Sequence, residues 1–204
     1  MMPLAVATED ELSEAVMLRL LAEQPVMTEV PPMLLGKQGF GYLRSGMDKW
    51  REMANHRVVI VLTDLDRVAC PVILLEDWLG AERRCPENLL LRVAEREVES
   101  WLLADHEALK RLIGMNVKPP PGPDELPDPK QHLLRLAQKA PRAVKEDLIA
   151  QKGAVASQGI GYNRRLVSWI QNEWCPERAA ERSPSLLRAR NALRVTANRM
   201  IQAR

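Results

Sequence analysis

The chain has 204 residues, 46% of them hydrophobic and 27% charged, with a formal net charge of +2. That length accommodates one full domain or a domain with an appendage, and the composition excludes a disordered chain. No apolar run approaches the ~18 residues of a bilayer-spanning helix.

The N-terminal MMPLAVATED has neither a basic leader region nor a cleavage pattern. Cys70, Cys85 and Cys175 are too few and too scattered for a disulfide framework or a zinc knuckle, so a reduced, cytoplasmic setting is expected. The small net charge hides an asymmetry: residues 1–115 carry 13 Lys and Arg against 19 Asp and Glu, whereas residues 116–204 carry 16 against 8. A basic second half is a surface that draws phosphate backbones; a solvated helical surface accounts for it equally well.

In chain order, Leu4–Ala7 reads as a short strand, followed by a helix carrying Ala15, Val16, Leu18, Leu20 and Leu21. Thr8 and Glu11 have the spacing of a capping box at its start. GKQGFGYLRSGMDKW then predicts a glycine-rich basic turn and a short helix. Val58–Leu62 (VVIVL) is apolar at every position, as a strand buried on both faces of a parallel sheet requires. Leu89–Val93 is a third strand candidate, with a helical pattern from Val98 to Leu112. Lys118–Pro129 holds six of the fifteen prolines and marks a boundary, because proline fixes φ and lacks a donor. Helical spacing resumes over 130–140, 143–150, 166–174 and 185–202. The expected organisation is an α/β domain over 1–115, a proline-rich linker over 116–129 and a basic helical region over 130–204.

The stretch VVIVLTDLDR sets Asp64 and Asp66 just past a buried strand, the end at which parallel sheets bind ligands. Two residues apart on extended chain, both carboxylates can point one way. Such a pair is repulsive, and a hard cation such as Mg²⁺ or Mn²⁺ relieves it. Glu9, Asp10 and Glu11 follow the first strand, and Glu95, Glu97, Glu99 and Asp105 follow the third, so a parallel sheet would gather all three acidic groups at one edge. Each group also has a plain explanation: acids suit a first helical turn, and Glu95 with Glu99 suits an exposed helix face.

The pieces AVATEDELSEAV, VLTDLDR and EVESWLLAD resemble the Toprim fold of topoisomerases, primases and OLD-type nucleases. They are most similar to small Toprim-like proteins of the DUF4276 type, over about residues 4–112. The resemblance implies a mostly parallel central sheet flanked by helices, here with a C-terminal helical extension. It makes Glu9 the first-motif acid, Asp64 and Asp66 the metal-binding pair and Glu99 the third acid. The family's first motif runs Glu-Gly with an acid four residues on, whereas this chain has Glu9-Asp10 and Ser13. Glu9 and Glu11 therefore both stand as candidates for that carboxylate. What the resemblance implies is a Mg²⁺- or Mn²⁺-dependent nuclease acting on DNA or RNA in antiphage defence beside an ATPase partner. A non-catalytic scaffold for such an ATPase and a hydrolase of small phosphate esters are the alternatives, and a homo-oligomer is compatible with each.

Lys37 lies in GKQGFG, which is not a nucleotide-binding P-loop and reads more simply as a flexible turn than as a phosphate cradle. Lys37, Lys130, Arg164 and Arg165 are the candidate contacts to a nucleic-acid backbone, together with Lys152, Arg188, Arg190 and Arg194. Tyr162 or Trp169 is available to stack on bases, although packing explains the tryptophans, including Trp101 and Trp174. His56, His106 and His132 share no zinc-ligand spacing.

Overall fold

A computed structural model describes residues 3–80 and 85–203. Strand β1 (Leu4–Thr8) is wholly buried and leads into α1 (Glu11–Leu21). The cap of α1 differs from the expectation: Asp10, not Thr8, accepts from the Ser13 N–H, at 2.8 Å, because Thr8 is still the last residue of β1. Helix α2 (Pro25–Thr28) precedes β2 (Met33–Gly36), and α3 (Gly39–Ser45) and α4 (Met47–Met53) follow it. Next come β3 (Val58–Asp64), α5 (Pro71–Leu79) and β4 (Leu89–Ala94).

The four strands form one parallel sheet in the order β2-β1-β3-β4. The molecule is an α/β protein with helices on both faces of this sheet, consistent with a Toprim-like fold. Strand β2 went unpredicted: it is four residues long, sits at an edge and leaves Met33 and Leu34 exposed. The doubly buried run of β3 was legible and extends through Thr63 and Asp64.

Alternation along the strands divides the core in two. Ala5, Ala7, Val59, Val61, Leu89 and Leu91 pack with Leu43, Trp50, Leu74 and Trp78 from α3, α4 and α5. Leu4, Val6, Val58, Ile60, Leu62 and Leu90 pack on the other face against α1 and everything after β4. That second layer consists of α6 (Glu99–Ala104), α7 (His106–Ile113), α8 (Pro129–Ala137), α9 (Arg142–Leu148), α10 (Tyr162–Asn172), α11 (Pro176–Ala180) and α12 (Pro184–Gln202). The helical run expected over 98–112 is broken at Asp105, whose carboxylate caps α7 through the Ala108 N–H.

Residues on both sides of the proline-rich segment therefore lie in one apolar cluster, with Trp101, Leu109, Trp169, Trp174 and Leu186 in contact with the sheet's layer. The segment itself is strapped down. Its single 3₁₀ turn, Pro123–Glu125, presents Asp124 to the Ser183 hydroxyl at 2.7 Å and the Ser185 N–H at 2.8 Å. Ser185 in turn accepts the indole N–H of buried Trp101 at 2.6 Å. Among the described residues no helix is long and apolar enough to cross a membrane.

Candidate carboxylate site

The sheet order fixes where a site can form. From β1 the chain steps outward to β2, and from β3 it steps the opposite way to β4, so the crossovers diverge between β1 and β3. At such a divergence the loops part and leave a crevice at the carboxyl ends of the strands. Glu9 is the first residue past β1 and Asp64 is the last of β3. Glu9 Oε1 accepts from the Thr63 hydroxyl at 2.5 Å and from the Asp64 N–H at 2.8 Å. Asp64 Oδ1 accepts from the Val98 N–H at 2.9 Å, which fastens the entry of α6 to β3.

That bond sets the next residue, Glu99, against the same edge. Glu99 is 4% exposed, and its Oε1 accepts from the Tyr162 hydroxyl at 2.8 Å. Tyr162 comes from α10, so the C-terminal layer furnishes part of the site. Lys130 Nζ lies 5.2 Å from the centre of the Tyr162 ring, and the Lys130 N–H donates to Glu97 Oε2 at 2.8 Å.

The charges crowd one another. Burial pushes the Asp64 carboxyl well above its ordinary value, and the neighbouring charges of Glu99, Glu9, Asp10 and Asp66 push the same way. Burial also raises Glu9, against the lowering effect of its bonds from Thr63 and Asp64. Glu99 is pushed up to about 7, mainly by burial, while the charge of Lys130 and the Tyr162 hydroxyl oppose the rise. The Tyr162 hydroxyl is raised by burial and by the Glu99 charge. Carboxyls that resist ionisation together at one edge are typical of functional sites, although ion-pair networks also perturb them.

The first-motif candidates separate clearly in space: Glu9 stands at the β1–β3 crossing, and Glu11 lies in the exposed first turn of α1. Asp66 is exposed and adopts φ +48°, with its N–H donating to the Arg96 carbonyl at 2.7 Å. Lys37, Asp66 and Arg96 all have positive φ, and they follow β2, β3 and β4 respectively. Backbone strain is thus concentrated at the carboxyl edge of the sheet.

The expected nucleic-acid contacts are less uniform. Lys37 pairs with Glu14 at 2.9 Å, and Arg164 and Arg165 both bond Asp147, at 3.0 and 2.7 Å. Tyr162 is 1% and Trp169 3% exposed, so neither ring is presented for stacking; both belong to the core. Sequence reasoning missed Thr63 as a site residue and read Tyr162 only as a stacking ring, whereas Glu97 was among the acids expected at this edge. Thr63 had a signal, as the last side chain before Asp64 in the strand.

Among the described residues no group of three or more His, Cys, Asp or Glu side chains is placed to hold one metal ion. The donor chemistry nonetheless suits a hard cation. Glu9 and Asp64 are each anchored through one oxygen, the hydrogen bonds among the described residues leave Oε2 and Oδ2 uncommitted, and both groups are carboxyls that repel each other. No protein-family model, curated protein or solved structure matches this chain.

Proposed function

We propose that this protein is a divalent-cation-dependent nuclease that hydrolyses phosphodiester bonds of DNA or RNA. The observation that carries the reading is the junction of Glu9 and Asp64 at the divergence of β1 and β3, with Glu99 brought to the same edge by Val98. Glu9 and Asp64 would hold Mg²⁺ or Mn²⁺ through their uncommitted oxygens, with Glu99 at the same edge and Asp66 at the rim. When bound, the cation supplies an activated water and neutralises charge that develops on the phosphate.

The chain's own residues perform the remaining tasks. Glu9 is pinned by Thr63 and the Asp64 backbone, so its free oxygen is preorganised. The Glu99 carboxyl, near 7, can take or release a proton at neutral pH while Tyr162 fixes its orientation. Similarity to OLD-type nucleases adds an ATPase partner and a role in defence against mobile DNA to the proposal, with a cytoplasmic location.

The test is degradation of plasmid DNA and RNA with Mg²⁺ or Mn²⁺, with chelator as control. Loss of cleavage in folded Asp64→Asn and Glu9→Gln variants supports the reading; wild-type protein inert toward both polymers, with the candidate ATPase present, defeats it. A second reading, a non-catalytic scaffold for the ATPase, is favoured by the internal pairing of Lys37, Arg164 and Arg165. A scaffold would bind its partner unchanged after both substitutions.

A further inference from the structure

Next to the carboxylates, the turn after β3 carries side chains that the proposed hydrolysis leaves unused. This turn is built rigidly. The Leu65 N–H donates to the Ala94 carbonyl at 2.9 Å, and the Arg96 guanidinium donates to the carbonyls of Asp66 and Val68 at 2.9 Å each. Arg96 thereby holds the turn from the β4 side. On its other side the turn faces α3 across an open hollow of about 590 Å³ lined by Phe40, Asp66, Arg67 and Val68.

Each wall has a distinct character. Phe40 is braced edge-on by Trp78, with ring centres 5.1 Å apart, so its own ring is held in place at the mouth. Val68 offers an aliphatic surface opposite. Arg67 is exposed and makes no ion pair among the described residues, unlike Lys37, Arg164 and Arg165. Asp66 connects the hollow to the edge where Glu9 and Asp64 meet.

We propose that this hollow seats one unpaired nucleobase of a nucleic-acid strand, stacked on Phe40, with Arg67 on its phosphate, beside the edge where Glu9 and Asp64 meet. The inference rests on the nuclease reading and gives it a substrate class: single-stranded or locally unpaired nucleic acid. A planar ring lies flat on an aromatic side chain whatever its sequence, and a guanidinium holds phosphate with a fork of donors. In a duplex the base is stacked and paired, and extruding it is unfavourable.

The test is fluorescence anisotropy on the full chain without metal, using an end-labelled single-stranded oligonucleotide, its duplex and a nucleoside monophosphate. The strand is expected to bind more tightly than the duplex. Phe40→Ala and Arg67→Ala are each expected to weaken strand binding about tenfold, within the range for losing one base–aromatic stack, and Phe40→Trp to restore it. Arg67 is exposed, so its variant reads binding even if Phe40→Ala disturbs packing. Wild-type affinity in Phe40→Ala and Arg67→Ala alike, in a protein that still cleaves nucleic acid, overturns the hollow and leaves the nuclease reading standing. A monophosphate bound as tightly as the strand overturns the assignment to a polymer. Neither binding nor cleavage of any nucleic acid overturns both.

Discussion

Asp64 and Glu9 are joined through a backbone donor and not through their charges: the Asp64 N–H gives its hydrogen to Glu9 Oε1 at 2.8 Å. The side chain of Asp64 is turned the other way, to the Val98 N–H at 2.9 Å. Two carboxyls that resist ionising together are thus fixed near each other by a strand that has no freedom to separate them. Folding tolerates this because the burial of β3 is worth far more than the repulsion, and the residual strain sits where a cation would relieve it.

Asp64→Asn keeps an oxygen for the Val98 N–H and removes one repelling charge. The substitution is expected to leave the circular dichroism unchanged, raise the melting temperature above pH 7 and reduce phosphodiester cleavage at least about 100-fold. An Asn variant with a melting temperature equal to or below wild type would show that repulsion at this edge is negligible.

Divalent cation is expected to act on stability in the same place. A ligand that binds only the folded state stabilises by about 2.7 kcal/mol at a concentration one hundred times its dissociation constant. Thermal scans with Mn²⁺ should therefore show a rise for the wild type that is absent in a Glu9→Gln, Asp64→Asn double variant. Equal rises in both proteins would assign the cation to another site.

The Glu99 carboxyl is raised from 4.5 to about 7 by burial, so folding favours its protonated form. The stability it contributes is fully present below about pH 4.5 and is lost as pH rises through about 7. Metal-free protein should lose melting temperature across that interval, and Glu99→Gln should flatten part of the loss. Asp64, Glu9 and Glu97 are shifted in the same direction and account for the slope that remains.

Much of this architecture is legible in the chain, for reasons that vary by residue. VVIVL could be recognised because a strand covered on both faces must be apolar at every position, and Asp64 follows from where that strand ends. MLLG could not, since an exposed edge strand of four residues has too little pattern to distinguish it from a loop. The N-cap of α1 moved from Thr8 to Asp10 because pairing with β3 extends β1 through Thr8. The acids at the strand ends were visible as types, but the partner of Glu99 is Tyr162, 63 residues onward, and no local spacing announces it. Arg164 and Arg165 looked available until folding brought Asp147 beneath them.

Tyr162 joins α10 to the site, and its hydroxyl, after the charge of Lys130, opposes the upward push on the Glu99 carboxyl by favouring its ionised form. Tyr162→Phe removes that donor while keeping the ring in the core. The loss of a buried partner is expected to destabilise the protein by about 1–3 kcal/mol in urea titrations and to move Glu99 further above 7. In cleavage assays the limb of the pH profile that reports Glu99 should shift to higher pH. An unshifted profile would show that Glu99 takes no proton in the reaction.

Arg178 secures the far end of the same layer, and its replacement distinguishes structural from chemical roles. Asp105 is fully buried; it accepts from Arg178 at 2.8 and 2.9 Å, from the Cys175 N–H at 2.8 Å and from the Ala108 N–H at 3.2 Å. Arg178→Met strips the counter-charge from a carboxylate that stays inside. Removing one member of a buried pair is unfavourable by about 3–5 kcal/mol, and partial exposure of Arg178 puts this case near 3. Urea unfolding followed by tryptophan fluorescence should register that loss, because Trp174 lies one residue before Cys175 and donates to the Trp101 carbonyl at 3.2 Å. Below its midpoint the variant should cleave nucleic acid at the wild-type rate, since Arg178 touches none of Glu9, Asp64 and Glu99. A variant as stable as wild type would mean that the two backbone donors alone satisfy Asp105.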